Sequence, residues 1–429
     1  ILFCLNKDVE TLSIERKSDG NFITNNQALN EYLETIQVSR LERWLKGATE
    51  SEHDGDIYLN RIFRLTLDSR SNITIDQAKE SFEAFDFIHS VTYEPIRKPL
   101  YTPNDSQYNQ QWFLPHILAN NAWDLWDIDT ETPGDRSILL ASVDTGVDWD
   151  HPDLRDNIWQ NLAEDANGNG VTIIQQGGSW ILDPGDLNGI DEDGNGYLND
   201  LIGWDVSGYD GNLYGDNDPM PPSGVGTGGT WAHGTHVAGL LAGSTNNNLG
   251  IASVAFNCSI MAVKVSTGEQ DYPYITHGYD GILYAAKAGF IAQGFSIVNN
   301  SWGGGYFNQY EQATINVAHN DYNAVIICAA GNGDEDSWGE TDDLHFPSSY
   351  DNVISVCAMG NNDVWGHWAT YGETVDIASP GEGIRSTKIG TGYTSWSGSS
   401  MASPIVGSVI ELMKSFNPSW NNNQLITMV

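Results

Sequence analysis

Near the end of this chain a glycine and two hydroxyls precede an apolar helical pattern: Gly398-Ser399-Ser400-Met401-Ala402-Ser403-Pro404. Ile405, Val406, Val409, Ile410 and Met413 follow at helical spacing. Ser400 is therefore expected at or near a helix N-terminus, with Pro404 in the first turn, where its missing N–H costs nothing. Backbone N–H groups and the positive end of the helix dipole converge there. A serine so placed suits a nucleophile whose product oxyanion meets ready donors. Taken alone, the stretch more commonly marks an ordinary serine N-cap.

Other chemistry-bearing residues sit at the ends of predicted elements. Asp144 closes the apolar run Ile138 to Val143 and opens Asp144-Thr145-Gly146. A strand-end Asp either caps a turn or stands where open α/β sheets keep their sites. His233 and His236 lie in His233-Gly234-Thr235-His236-Val237-Ala238-Gly239, at the start of another apolar helix. His233 is expected to face a cleft and His236 to be structural. Asn332 ends Ala329-Ala330-Gly331-Asn332, directly after the strand-like run Ala324 to Cys328.

These positions need a scaffold that brings strand ends and helix starts together. Ile260 to Val265 and Ser296 to Asn300 are further apolar runs of strand length, the second leading into Ser301-Trp302-Gly303. Continuous apolar strands alternating with helical segments predict a doubly wound parallel α/β sheet over residues 101–429. Residues 1–100 read as a separate, small α+β module. Val9 to Arg16 fits an edge strand, Gln27 to Gln37 a helix and Tyr58 to Leu67 a strand. Thr74 and Gln77 form a capping box before a helix with Ala78, Phe82 and Phe85, and Phe87 to Tyr93 is a last strand. The segment from Ile96 to Pro103, with its prolines and basic residues, reads as an exposed linker.

Charge narrows the partners. Lys and Arg total 19 against 57 Asp and Glu, so the formal charge of -38 repels nucleic acid and anionic membranes. No apolar run is long enough to span a bilayer, so membrane insertion is not expected. Ile1 to Leu5 fits the tail of a signal segment without a basic region before it, and the missing initial Met suggests a fragment. Cys258, Cys328 and Cys357 lie in apolar runs and are expected to be buried thiols.

The acidic residues are also unevenly placed. No Lys or Arg occurs between Arg155 and Lys264, although residues 183–218 carry ten acidic side chains. Unpaired charge at that density calls for cations. Asp191, Asp193 and Asn195 alternate ahead of Gly196, and Asp200 follows, a spacing that opens a Ca²⁺ loop of the EF-hand type without its closing Glu. Asp165, Asn167 and Asn169 before Gly170 repeat the pattern more weakly.

Together, Asp144-Thr145-Gly146, His233 to Gly239 and Gly398 to Pro404 resemble the three motifs of the subtilisin-like serine proteases, in that family's order of Asp, His and Ser. Ala330-Gly331-Asn332 between the last two adds specificity. Ser399 stands where the family usually has Thr, and the chain ends after Val429, early for the family's closing helix. The resemblance implies a peptide hydrolase with Ser400 as nucleophile, His233 as general base and Asp144 as its orienting partner. It implies that Asn332 donates to the oxyanion, and that Ser301, Trp302, Gly303, Ala330 and Gly331 bind substrate main chain. It further implies structural Ca²⁺ at Asp105, Asp153 and Asn247. By position and element order, the N-terminal module resembles the family's inhibitory propeptide. The resulting expectation is a secreted, monomeric serine endopeptidase in precursor form, acting on proteins or peptides. The rival is a catalytically silent, calcium-dependent binding or adhesion module, although decay usually removes at least one catalytic residue.

Overall fold

The computed structural model describes residues 1–95, 100–208, 215–269, 272–333 and 344–429. Of the expected linker, residues 96–99 lie outside this set, as do residues 209–214 of the acidic stretch. The chain divides into two compact units, Ile1–Pro99 and Leu100–Val429.

The first unit is a four-stranded antiparallel sheet with two helices. Its strands are β1 (Leu2–Leu5), β2 (Val38–Arg43), β3 (Ile62–Leu67) and β4 (Ile88–Thr92), in the order β2-β3-β1-β4. Phe3, Leu5, Leu29, Leu41, Phe63, Leu65 and Phe82 make its core with helices α1 (Gln27–Leu33) and α2 (Ile75–Glu83). The expected capping box of Thr74 and Gln77 is present. Three elements are shorter than their sequence patterns. Helix α1 stops at Leu33, where the Thr35 hydroxyl takes the Tyr32 carbonyl, although Ile36 continues the buried stripe. Residues Leu59–Arg61 form a 3-10 turn ahead of β3. Only Ile14–Arg16 of the expected first edge strand is extended, paired with Phe22–Thr24.

The second unit is built on a seven-stranded parallel sheet. In chain order its strands are β5 (Leu139–Asp144), β6 (Gly203–Asp205), β7 (Ser259–Lys264), β8 (Ser296–Asn300), β9 (Ala324–Ala329), β10 (Val353–Met359) and β11 (Ile377–Pro380). Their spatial order is β6-β7-β5-β8-β9-β10-β11, every neighbouring pair parallel. Alternation along the strands sorts side chains to the two faces. Leu140, Ile260, Ile297, Val325 and Ile327 pack on one face with helices α3 (His233–Ala242) and α6 (Ser399–Phe416). Ala141, Val143, Val263, Val298 and Ile326 pack on the other with α4 (Gly278–Gln293) and α5 (Gln309–Asn320). The expected doubly wound architecture is thus present. All four cysteines are free and buried, Cys4 included.

The strand order reverses between β5 and β8, and clefts for ligands open at such switch points beyond the strands' carboxyl ends. Asp144 ends β5, and Ser301 follows β8 directly.

Candidate active site

Four segments build the site, and small residues let them approach. Gly146 has a φ of 101°, and a Cβ there would stand 2.9 Å from the Pro219 carbonyl oxygen. A Cβ on Gly234 would fall 2.3 Å from the Gly146 oxygen, so α3 can start against the end of β5 only without one. Thr145 ties the two together: its hydroxyl accepts from Gly234 N–H (2.9 Å) and donates to the Trp231 carbonyl (3.2 Å).

This arrangement sets His233, the first residue of α3, beside Asp144. His233 Nδ1 lies 2.8 Å from Asp144 Oδ1, which also accepts the Thr145 N–H at 2.7 Å. Asp144 is 1% exposed, and its Oδ2 has no hydrogen-bond partner among the described residues. For His233, burial acts to lower the imidazole pKa, but the Asp144 carboxylate overrides it and the net shift is upward. His236, one turn on, is fully buried and stacks on Trp396 with 4.7 Å between centroids. Burial holds its pKa down to about 3, so it stays neutral. Its expected structural role fits that packing. The same Trp396 ring lies parallel to His233, 6.4 Å away.

Ser400 is the second residue of α6, as expected, but Pro404 lies beyond the first turn. A proline there cannot donate to the carbonyl four residues back, which is that of Ser400. The Ser301 hydroxyl supplies the missing bond, donating to the Ser400 carbonyl at 2.9 Å. Ser301 is 2% exposed, and its hydroxyl also meets Asn299 Nδ2 and Ser403 Oγ, each at 2.9 Å. Its side chain therefore sits under α6, while its main-chain oxygen accepts the Ser400 hydroxyl at 2.9 Å. As a residue of the first helical turn, Ser400 has an N–H without an intrahelical acceptor.

Asn332 is held by α6. Its Oδ1 accepts the Ser399 N–H at 2.8 Å and the Ser399 hydroxyl at 3.1 Å. With that oxygen occupied, the Nδ2 donors are the end of the amide left to meet a ligand. The Ser399 hydroxyl also accepts the Gly331 N–H at 3.1 Å, so the unusual Ser for Thr keeps the hydroxyl that performs this linkage. Ala330 and Gly331 connect β9 to Asn332, Gly331 with a φ of 111°. Trp302 is anchored by its Nε1 donating to the Val143 carbonyl at 2.8 Å. Gly304 forms an antiparallel bridge with Phe346, and Gly303 packs on the His345 ring. A hollow of about 440 Å³ opens beside them, lined by Tyr279, Trp302, Gly303, Gly304, Glu311 and Phe346.

The expected cation ligands also gather. Asp105 accepts the N–H groups of Asn246 (2.8 Å) and Asn247 (3.4 Å). Asn247 Nδ2 donates to Asp153 Oδ1 at 2.7 Å, and Ile251 N–H to Asp153 Oδ2 at 2.8 Å. Burial pushes Asp105 up to about 6 and raises Asp153 as well. In the other loop Asp191 accepts the N–H groups of Gly194, Asn195 and Gly196. Asn195 Nδ2 reaches Asp193 Oδ2 (3.1 Å) and Asp200 Oδ2 (2.8 Å). Glu164, fully buried, completes this group: ligand oxygens of Glu164, Asp191 and Asp193 all lie within 4.8 Å of one another. Sequence spacing missed Glu164, because only the fold carries it to the loop. Trp396 was missed for the same reason.

Comparison with known proteins agrees with this arrangement. A profile of the Subtilase family matches residues 135–429. Thermitase of Thermoactinomyces vulgaris is 33% identical over 325 residues, covering 75% of this chain and 88% of thermitase. The thermophilic serine proteinase of Bacillus sp. (strain AK1) is 30% identical, over 73% of this chain and 60% of its own length. The halolysin-like extracellular serine protease Nep of Natrialba magadii is 28% identical, over 78% of this chain and 49% of its own. Among solved structures, a protease from Pseudoalteromonas arctica shares the fold with a TM-score of 0.56 at 24% identity, over 76% of this chain and 91% of that one.

Proposed function

Because the chain belongs to the subtilase family, we propose that it is a serine endopeptidase that cleaves proteins or peptides through an acyl-enzyme on Ser400. The observation that carries the reading is the pair His233 Nδ1 and Asp144 Oδ1 at 2.8 Å, together with an Asn332 amide aligned by Ser399 at the start of α6. In the resting geometry the Ser400 proton points to the Ser301 carbonyl. A χ1 rotation turns the hydroxyl toward the substrate carbonyl and His233 Nε2. His233 takes the proton, with Asp144 fixing the tautomer and stabilising the imidazolium, and later returns it to the leaving amine. The developing oxyanion meets the Ser400 N–H and Asn332 Nδ2. Trp302 and Gly303, with Ala330 and Gly331, would offer main chain to an extended peptide. A fluorophosphonate probe tests the nucleophile directly: adduct mass on the peptide containing Ser400 is expected, and adduct elsewhere or none overturns it. Asp144, His233, Ser400 and Asn332 are all retained in the chain, which speaks against a silent binding module. We further propose a secreted monomer; among the described residues no helix is long and apolar enough to cross a membrane.

Activity should fall on acidification. His233 must be neutral to accept a proton, and Asp144 favours its protonated form. The acidic limb of kcat/KM is therefore expected above the ordinary His value of about 6.5, with a neutral-to-alkaline optimum. Added salt should move that midpoint down by screening the protein's negative field. A profile with an acidic optimum contradicts the assignment.

Calcium is the cation that fits the two acidic sites, because their donors are all oxygens from carboxylates, amides and loop carbonyls. Asp105, Asp153 and Asn247 would hold one ion; Glu164, Asp191, Asp193, Asn195 and Asp200 would hold another. When bound, the ions neutralise buried carboxylates and brace the loops. Chelator is expected to lower Tm and speed self-digestion, since an ion bound only by the native state stabilises it by mass action. Asp191→Asn with Asp193→Asn should reproduce part of the Tm loss. Identical melting curves with and without chelator remove calcium from the reading.

A further inference from the structure

The hollow of about 440 Å³ beside Trp302 has a chemical character that the catalytic residues do not account for. Its walls are aromatic. Trp302 is fixed by its bond to the Val143 carbonyl, and its ring lies so close to Gly278 that a Cβ there would stand 2.3 Å from it. Tyr279 meets the Trp302 ring nearly at right angles, with 5.8 Å between centroids. Tyr306 lines the hollow as well and is 86% exposed, so its ring is open to an incoming ligand.

One carboxylate stands among these rings. Glu311, in the first turn of α5, lines the same hollow. Its Oε2 accepts the Tyr350 hydroxyl at 2.7 Å. Its Oε1 meets Asn308 Nδ2 at 3.4 Å, a long contact that leaves lone pairs open. Burial raises the Tyr279 phenol pKa, and the neighbouring Glu311 carboxylate raises it further. These partners are neutral donors, and no Lys or Arg is among the described residues that line the hollow. A helix N-terminus favours an acid in its first turn, but that role needs no aromatic walls around it.

Position ties the hollow to the reacting serine. The Ser301 main-chain oxygen accepts the Ser400 hydroxyl, and Trp302 to Gly305, the residues that follow, all line the hollow. A peptide paired with that main chain advances about 3.3 Å per residue. The side chain that enters the hollow therefore belongs to a residue about two to four positions from the attacked carbonyl. Aromatic walls around an unneutralised carboxylate suit a guanidinium or an ammonium. The ring faces attract a cation, and the planar fork of Arg matches a carboxylate. The formal charge of -38 draws the same peptides towards the protein.

We propose that Glu311 is a specificity-determining residue, and that the enzyme selects peptides carrying Arg or Lys at the position that enters this hollow. The inference rests on the endopeptidase reading and names a substrate class for it.

The test compares substrates that differ by one charge. Full-length protein is refolded, and its active sites are counted with the fluorophosphonate probe. Then kcat/KM is measured on quenched-fluorescence peptides in which each position within about four residues of the scissile bond carries Arg, citrulline or Leu in turn. Citrulline keeps the length and shape of Arg and lacks its charge. At one position Arg is expected to exceed citrulline by about tenfold, and added salt should shrink that ratio. Glu311→Gln keeps an oxygen for Tyr350 and removes the charge, so it should abolish the difference between Arg and citrulline. A merely structural Glu311 would instead change kcat/KM for all peptides alike and leave the ratio. Should Glu311→Gln not fold, the wild-type ratio and its salt dependence decide the matter without a variant. Hydrolysis with no preference for Arg over citrulline at any position, or a preference that Glu311→Gln retains, overturns this inference and leaves the endopeptidase reading standing. No hydrolysis of any peptide overturns both.

Discussion

Ser400→Ala is expected to fold as the parent does and to lose on the order of 10⁶ in kcat, the size of the loss for the equivalent change in subtilisin. The structural cost is small. The substitution removes one hydrogen bond, Ser400 Oγ to the Ser301 carbonyl, worth about 1 kcal/mol. The start of α6 keeps its other ties, the Ser399 N–H to Asn332 and the Ser301 hydroxyl to the Ser400 carbonyl. What disappears is the nucleophile, so the residual rate reflects binding and oxyanion stabilisation alone. Within the same series, Asn332→Asp keeps the oxygen that accepts from Ser399 and removes the Nδ2 donor. It should fall between parent and Ser400→Ala, with a loss of about 10²–10³, the subtilisin figure for that donor. Ser399→Ala should retain most turnover, because Ser399 orients Asn332 without touching substrate. Single-turnover rates on a peptide substrate, with Tm measured alongside, separate these outcomes. A dead Ser399→Ala beside an active Ser400→Ala would move the nucleophile by one residue.

Much of this was legible in the sequence because the second unit obeys local rules. The strands β5, β8 and β9 are buried on both faces, so each appears as a largely apolar run, and each leads into a residue of the site. Helix starts were legible for the same reason at His233 and Ser400. What spacing cannot show is which groups the fold brings from elsewhere. Pro404 was expected in the first turn because a proline deeper in a helix strands a carbonyl. The Ser301 hydroxyl, remote in sequence, satisfies that carbonyl. Glu164 gave no signal beyond its neighbour Asp165, yet it accepts the N–H groups of Glu192 and Asp193 and joins their loop. Trp396 lies on a short hairpin strand, and only tertiary packing sets it against both histidines. The first unit was read less well at its ends. Its elements are short, and a buried residue beyond a helix, such as Ile36, extends a periodic pattern past the helix itself.

The first unit raises the other large effect. It has its own sheet, two helices and a closed apolar core around Phe3, Phe63 and Phe82, so it has the makings of an autonomous folding unit. A protease that becomes active inside its own cell is a hazard, and a small folded module ahead of the catalytic unit suits an inhibitory propeptide. We propose that the precursor cuts itself between Pro95 and Asn104. That segment is rich in proline and carries Arg97 and Lys98, a composition that disfavours a helix and suits the extended peptide a protease cleft binds. While the tether is intact, the effective concentration of the module is high; once it is cut, release follows dilution. Intact mass is the measurement. Refolded wild type is expected as two fragments that meet within residues 95–104, whereas Ser400→Ala stays at full length. A cleavage half-time unchanged by dilution marks cutting within one molecule, and one that lengthens marks cutting between molecules. The isolated segment 1–95, added to processed enzyme, should inhibit it, and a folded segment that does not inhibit reduces the module to a folding aid. An uncut wild-type chain with full peptidase activity removes the propeptide reading altogether.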